Sequence, residues 1–403
     1  MLLNLADIVS TKPTTDVFRC GGACKLCNHC KAPIEPKKGK NGILLVFEQP
    51  TEQEDAFQQI ALGNAALRVK AILNGAGIKM DDCSIAYAIG CHAGEVETKV
   101  YETAIESCRI KLVKFIEDTK PTNIILFGHA AISSIITYDY GKAAGATDVW
   151  VGWKIPSRKF NAWLCPTYSI TTPFAYNDPA MDLLYARYIT EAVSKKERPW
   201  KTIPDEASEV EILYDDTEVL ARLHKYWEKG GTLSFDLETS GLKPDMAEQF
   251  IYSSSICWMG KETISFLWND AVAEGMRKLL QSGRTSKIGA NFKFDHRWIK
   301  AKMGIDVIGW SWDCILAQHV LDCRPSITSL KFQSYVRFGL PDYDSHIKTY
   351  FASKGNNSLN RIRECPVHSL LLYGGIDALC TYNTAIQQMR EMNHPFVNGI
   401  DDL

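Results

Sequence analysis

Net charge is what this sequence has least of. Its 45 lysines and arginines meet 47 aspartates and glutamates, which leaves −2 over 403 residues. That excludes a uniformly basic chain that coats nucleic acid by charge alone. If the chain binds nucleic acid, its basic residues must be concentrated locally. Also missing is any apolar run of the roughly 20 residues that a helix needs to cross a bilayer. The N-terminus lacks the pattern of a secretory signal, so a cytoplasmic location is the expectation. Without export, the 13 cysteines argue for reduced thiols or metal ligands, not a disulfide framework. What is present, 46% hydrophobic and 23% charged residues, suits a soluble protein of two or three domains.

The stretch Gly231–Leu242, GTLSFDLETSGL, organises the rest. Thr232 to Leu237 reads as a strand with Leu233 and Phe235 on one face. Asp236 and Glu238 lie two apart, so both carboxylates point to the same face. They repel each other unless a cation lies between them, and their hard oxygens suit Mg²⁺ or Mn²⁺. An isolated Asp-x-Glu is usually two solvated acids, so a site needs further carboxylates. Two stretches supply them. Gly289-Ala-Asn-Phe-Lys-Phe-Asp295 precedes the apolar-periodic run His296–Met303, and Tyr373-Gly-Gly-Ile-Asp377 opens onto Ala378–Met389. On a helix, Tyr373 and Asp377 share a face.

Together these stretches resemble the three exonuclease motifs of the proofreading domain of family A DNA polymerases, the DEDDy 3′–5′ exonucleases. Asp236 and Glu238 match the first motif; Asn291, Phe294 and Asp295 the second; Tyr373 and Asp377 the third. The resemblance covers about residues 209–392 and implies a ribonuclease H-like α/β domain with a mixed sheet. Phosphodiester cleavage needs an attacking hydroxide, a stabilised leaving 3′-oxygen and neutralised transition-state charge, which two divalent ions about 3.5–4 Å apart can provide. By resemblance, Asp236, Glu238 and Asp377 hold the tighter Mg²⁺ or Mn²⁺, Asp236 bridges to the second, and Asp295 acts through its water shell. Tyr373 orients the attacking water; an ordinary pKa near 10 makes it a poor base. Asn291 falls among substrate-binding positions. Leu242 matches an apolar wedge against the terminal base, and an ordinary core leucine is the competing reading. The implied substrate is DNA with single-stranded or frayed 3′ ends. Only 26 residues follow Asp377, too few for a polymerase palm, fingers and thumb. Either a DNA polymerase is a separate partner or the chain is a fragment cut at the exonuclease boundary.

The first half alternates strands and helices: strands at Gly42–Phe47, Ser84–Ile89 and Asn123–Phe127, and helices with apolar positions from Ala61 to Ile72, over Tyr101–Asp118 and from Ala130. This predicts an α/β sandwich with a mainly parallel sheet. A cysteine-rich start, Glu48-Gln-Pro50 after the first strand, the pair Cys91 and Cys108, and Cys165-Pro-Thr-Tyr168 resemble the family 4 iron–sulfur uracil-DNA glycosylases across about residues 20–189. That resemblance implies one [4Fe–4S] cluster held by four thiolates. Cys91, Cys108 and Cys24 match three ligands. Cys20 is favoured for the fourth, with Cys27 and Cys30 also in reach; a zinc site on Cys24, Cys27 and Cys30 is the competing metal reading.

The departures from the glycosylase pattern are as informative. Phe47-Glu-Gln-Pro-Thr51 lacks both glycines of the family's Gly-Glu-x-Pro-Gly motif. The base-reading Asn aligns with Tyr87, the stacking aromatic with a position near Ala61, and the catalytic His with Ser169; only Glu48 survives. The expectation is a glycosylase-like domain that no longer excises uracil and serves to bind DNA or dock a partner. Lys37, Lys38 and Lys40 would add positive charge, or form an ordinary solvated loop. An active uracil-DNA glycosylase with an accessory exonuclease and a non-catalytic replisome scaffold are the alternatives. The pairing of such domains resembles an arrangement carried by bacterial viruses, which would place the protein in the host cytoplasm.

The charged, proline-containing Ser194–Glu206 reads as a linker, which divides the chain into 1–193, a linker 194–208, and 209–403. Asp313 opens an apolar helix and is assigned a structural role. Pro341–Asn357, rich in Tyr and Lys, reads as a mobile loop near the substrate.

Overall fold

The computed structural model describes residues 33–173, 178–355 and 357–394. The chain divides into two compact units between Pro199 and Trp200. In the first, β1 (Ile43–Phe47) is buried along its whole length, as an apolar run in the middle of a parallel sheet should be. β2 (Ser84–Tyr87), β3 (Asn123–Phe127), β4 (Ile155–Ser157) and β5 (Ala162–Thr167) complete a sheet of order β2-β1-β3-β5-β4. The first four strands are parallel and β4 is an antiparallel edge. The connecting helices are α1 (Glu52–Phe57), α2 (Gly63–Gly75), α3 (Thr98–Thr119) and α4 (Gly128–Tyr140), followed by α5 (Pro179–Ala192). The predicted parallel α/β architecture is observed. The short α1 was not predicted, although its signature was visible. Thr51 Oγ1 accepts from the Glu54 amide, and Glu54 accepts from the Thr51 amide at 2.7 Å, a capping box.

The expected linker is partly integrated. Asn123 donates to the carbonyls of Ala192 and Lys195 at 2.9 and 2.8 Å, and Arg198 donates to those of Asn161 and Lys120. Satisfying these backbone groups binds the segment to the first unit as far as Arg198.

The second unit is built on β6 (Val210–Leu213), β7 (Gly231–Thr239), β8 (Ile251–Trp258), β9 (Glu262–Leu267), β10 (Thr285–Gly289) and β11 (Trp310–Asp313), ordered β11-β10-β7-β8-β9-β6. β8 runs against both neighbours and the remaining pairings are parallel, so the sheet is mixed as predicted. The period-2 alternation of β7 decides what lies on each side. Leu233, Phe235 and Leu237 join a core with α6 (Asp216–Lys229), α7 (Asp270–Leu280) and α8 (Phe292–Met303). Ser234, Asp236 and Glu238 face α12 (Val367–Glu391), and Ser234 Oγ donates to the Ala378 carbonyl at 2.6 Å.

α9 (Cys314–Leu321), α10 (Leu330–Phe338) and α11 (Ser345–Phe351) complete the unit. The Pro341–Asn357 segment therefore holds a helix where a loop was predicted. Ile347 anchors α11 against Ile362, Cys365 and Leu370, and one buried anchor in seven residues leaves no periodicity to read.

Candidate active site

Asp236 and Glu238 project from β7 toward α12, which contributes Asp377. Ligand oxygens of these three residues lie within 4.8 Å of one another. Two things permit the approach. The β8 residues paired with Asp236 and Glu238 are Ser255 and Ser253, small side chains that leave room above the sheet. The helix comes down on Gly374 and Gly375. A Cβ on Gly374 would lie 2.7 Å from Ser255 Oγ, and one on Gly375 would lie 2.3 Å from Val210 Cγ1. Glycine in a helix interior costs roughly 1 kcal/mol relative to alanine; here it brings Tyr373 and Asp377 down to the carboxylates.

The electrostatics are those of a cluster short of positive charge. Burial, then the Asp377 charge, push the Asp236 carboxyl up to about 7, while Lys331 pulls it down. Glu238 is raised well above its ordinary value by burial and by Asp236 and Asp377. Asp295, in the first turn of α8, is raised by burial and by Asp236. Its Oδ1 is buried without a hydrogen-bond partner among the described residues. Hard oxygens packed together and an unsatisfied carboxylate oxygen beside them fit a divalent cation. Asp295 stands outside the trio of Asp236, Glu238 and Asp377. Burial, then Asp377, push the Tyr373 hydroxyl well above its ordinary range, so it keeps its proton and can position water but not deprotonate it.

The supporting positions fall as follows. Asn291 is exposed and takes a left-handed conformation, φ 65°, at the start of α8. Asp313 accepts from the amides of Asn291 and Phe292 at 3.3 and 3.0 Å and from those of Ile315 and Leu316 at 2.9 and 3.2 Å. It caps two helices at once, which agrees with the structural role predicted for it. Leu242 is 55% exposed, which removes the core-leucine reading.

Sequence reasoning missed Lys331 and Tyr343. Lys331, on α10, contacts Asp377 Oδ1, and Tyr343 donates to the same oxygen at 2.5 Å. No spacing signal marks Lys331. Tyr343 lies in the aromatic segment predicted to sit near the substrate.

In the first unit, the carboxyl ends of β1, β3 and β5 converge on Glu48. Ser169 Oγ donates to Glu48 Oε2 at 2.6 Å, and the Ala130 amide donates to Oε1 at 3.3 Å. Gly128, with φ +79°, allows the contact, since a Cβ there would lie 2.4 Å from the Glu48 carboxyl carbon. The Tyr87 hydroxyl accepts from the Ala61 amide at 3.1 Å. Cys91 follows β2 and Cys108 lies on α3, both buried. Among the described residues neither belongs to a group with metal-ligand spacing. Cys20, Cys24, Cys27 and Cys30 lie outside the described residues.

Residues 211–392 match the family profile described as 3′-5′ exonuclease. Comparison with curated proteins gives no match. Among solved structures the chain is similar to the catalytic core of RRP6 from Trypanosoma brucei, at 14% identity over 47% of this chain and 49% of that one, with a TM-score of 0.35. It is also similar to Brucella melitensis NrnC with bound Mg²⁺ (15% identity, 46% and 85% covered, TM-score 0.31). A third is Trypanosoma brucei RNase D in complex with RNA U12 (14% identity, 46% and 66% covered, TM-score 0.35). The chain spans about half the length of the RRP6 core. The family match covers the same residues that gather the carboxylates, and residues 211–392 are a 3′–5′ exonuclease domain, a metal-dependent hydrolase.

Proposed function

We propose that the protein is a 3′–5′ exodeoxyribonuclease that trims or proofreads single-stranded and frayed 3′ ends during DNA replication, in company with a separate DNA polymerase. The observation that carries this reading is the meeting of Asp236, Glu238 and Asp377 within 4.8 Å, beside a tyrosine that stays protonated. Asp236, Glu238 and Asp377 would hold one Mg²⁺ or Mn²⁺, and Asp236 and Asp295 would serve a second. The ions supply an acidified water and charge neutralisation at the phosphate. Tyr373 orients the water through its retained hydroxyl proton. The exposed Leu242 separates the terminal base from its neighbour, which favours ends that are already unpaired, because a paired end must first lose stacking and pairing. DNA is preferred over RNA here on the resemblance to polymerase proofreading domains.

The first unit is, on this reading, a glycosylase-like platform, in a protein of bacterial-virus type, that binds DNA or a partner without excising uracil. Its support is local chemistry. Glu48 is engaged at both oxygens, by Ser169 and by the α4 amide of Ala130. Tyr87 spends its hydroxyl on Ala61. A base-flipping pocket needs such groups turned toward the base. A [4Fe–4S] cluster on Cys20, Cys24, Cys91 and Cys108 completes the proposal. Iron and sulfide in anaerobically purified protein, lost in Cys91→Ser, would support it; zinc alone would refute it.

One experiment tests the whole reading: a 3′-mismatched DNA primer, its RNA counterpart and a uracil-containing duplex, each with Mg²⁺ and with EDTA. Mg²⁺-dependent shortening of the DNA primer from its 3′ end, without uracil release, is expected. Uracil release abolished by Glu48→Gln would overturn the account of the first unit. An intact DNA primer would overturn that of the second.

A further inference from the structure

The exonuclease site carries a cation of its own. The Lys331 ammonium contacts Asp377 Oδ1 and donates to the Tyr343 hydroxyl at 3.0 Å. It lies over the rings of Tyr343 and Tyr373, 4.2 and 4.1 Å from their centroids. Tyr343 closes the corner by donating to the same Asp377 oxygen at 2.5 Å. A carboxylate oxygen and two aromatic faces make a well-formed pocket for a monovalent cation. Yet Asp377 is also one of the three carboxylates grouped for a divalent ion. A divalent ion held by the same carboxylate would lie close to the ammonium, and the two cations repel strongly in a partly desolvated site. The lysine side chain is 20% exposed, and its four-carbon stem is flexible enough to withdraw the charge without moving α10.

We infer that Lys331 is the resident counterion of the metal-free site, a positioning residue that holds Asp377 and the two tyrosines in register until a divalent cation displaces its ammonium from Asp377 Oδ1. The inference rests on the exonuclease reading and adds a competition to it: loading the metal requires moving the lysine. An ion pair serving the fold alone would behave differently. Its loss would lower stability to the same degree with and without metal, and metal affinity would not rise.

The test uses the full chain and Mn²⁺, whose free concentration is counted by electron paramagnetic resonance, on the wild type, Lys331→Met and Lys331→Gln. Both variants should melt below the wild type in EDTA, bind Mn²⁺ at least tenfold more tightly, and close the melting gap at saturating Mn²⁺. A second measurement needs no variant. Acylation of Lys331 in the wild type, followed by mass spectrometry, should rise several-fold when Mn²⁺ is added. Unchanged or weaker Mn²⁺ binding by the variants, or labelling indifferent to Mn²⁺, would overturn the inference and leave the exonuclease reading standing. A wild type that binds no Mn²⁺ would overturn both.

Discussion

Gly375→Ala separates packing from catalysis in this site. The new Cβ would lie 2.3 Å from Val210 Cγ1, 3.0 Å from Cγ2 and 3.2 Å from Cβ. Ordinary carbon–carbon contact is about 3.5–4.0 Å, so the two groups must part by roughly 1 Å. Turning the Val210 Cβ hydrogen toward the new methyl removes the 2.3 Å contact but still leaves a methyl near 3.0 Å and Cβ at 3.2 Å, in a side chain that is stiff at χ1, so α12 has to lift from the sheet. The stability terms nearly cancel. Alanine in place of helical glycine gains about 1 kcal/mol, and overpacking costs about 1–3 kcal/mol, which leaves a net loss of about 0–2 kcal/mol. Activity has no such compensation. Asp377 lies two residues on, and a displacement of about 1 Å at a reacting centre costs on the order of a hundredfold in rate. The expected result is a near-native melting temperature with a rate on a 3′-mismatched primer reduced about a hundredfold. Val210→Ala removes both methyls, and the double variant should recover most of the rate, a coupling read from a double-mutant cycle. A Gly375→Ala protein with full activity and unchanged melting would refute the idea that the paired glycines set the height of the third motif.

Asp236→Ala and Asp377→Ala should each abolish primer shortening, because positioning cannot replace the lost charge stabilisation, whereas Tyr373→Phe should keep a measurable rate; gel assays in Mg²⁺ decide. The metal-free protein should lose stability as pH rises from about 4 to 7. The Asp236 carboxyl, raised to about 7 in the folded chain, binds a proton there that the unfolded chain has released, at a cost of at most about 4 kcal/mol. Melting curves in EDTA across that range, flattened by saturating Mg²⁺, would bear this out; a rise in stability with pH would contradict it. Leu242→Ala should leave the melting temperature within a degree or two, since the side chain is 55% exposed, but should narrow the rate advantage of frayed over paired ends. A large loss of stability would return Leu242 to a core role.

The legible parts of this protein were those set by local periodicity. β3 was predicted to the residue, and the alternation Leu233, Phe235, Leu237 against Asp236 and Glu238 correctly put two carboxylates on one face of β7. Gly374-Gly375 reads locally as a break, yet α12 runs straight through it, because contact with Ser255 and Val210 outweighs helix propensity. β4, β11 and α10 escaped notice because short elements carry too few residues to show a period. Lys331 and Tyr343 lie 46 and 34 positions from Asp377, and only the assembled fold brings them to it. The Thr51–Glu54 box was a local signal overlooked.

Asp313 carries a consequence for anyone wishing to move this chemistry elsewhere. Its one carboxylate receives the leading amides of both α8 and α9, so Asp295 takes its place from a residue in none of the three motifs. The Asn291–Asp295 segment is therefore not a portable cassette. Grafted onto another scaffold without an acid at the end of the neighbouring strand, it would begin its helix with unsatisfied amides and aim Asp295 differently. A designer would have to transplant the edge strand along with the motif, and a survey of relatives that scored the motifs alone would overlook variants disabled at position 313.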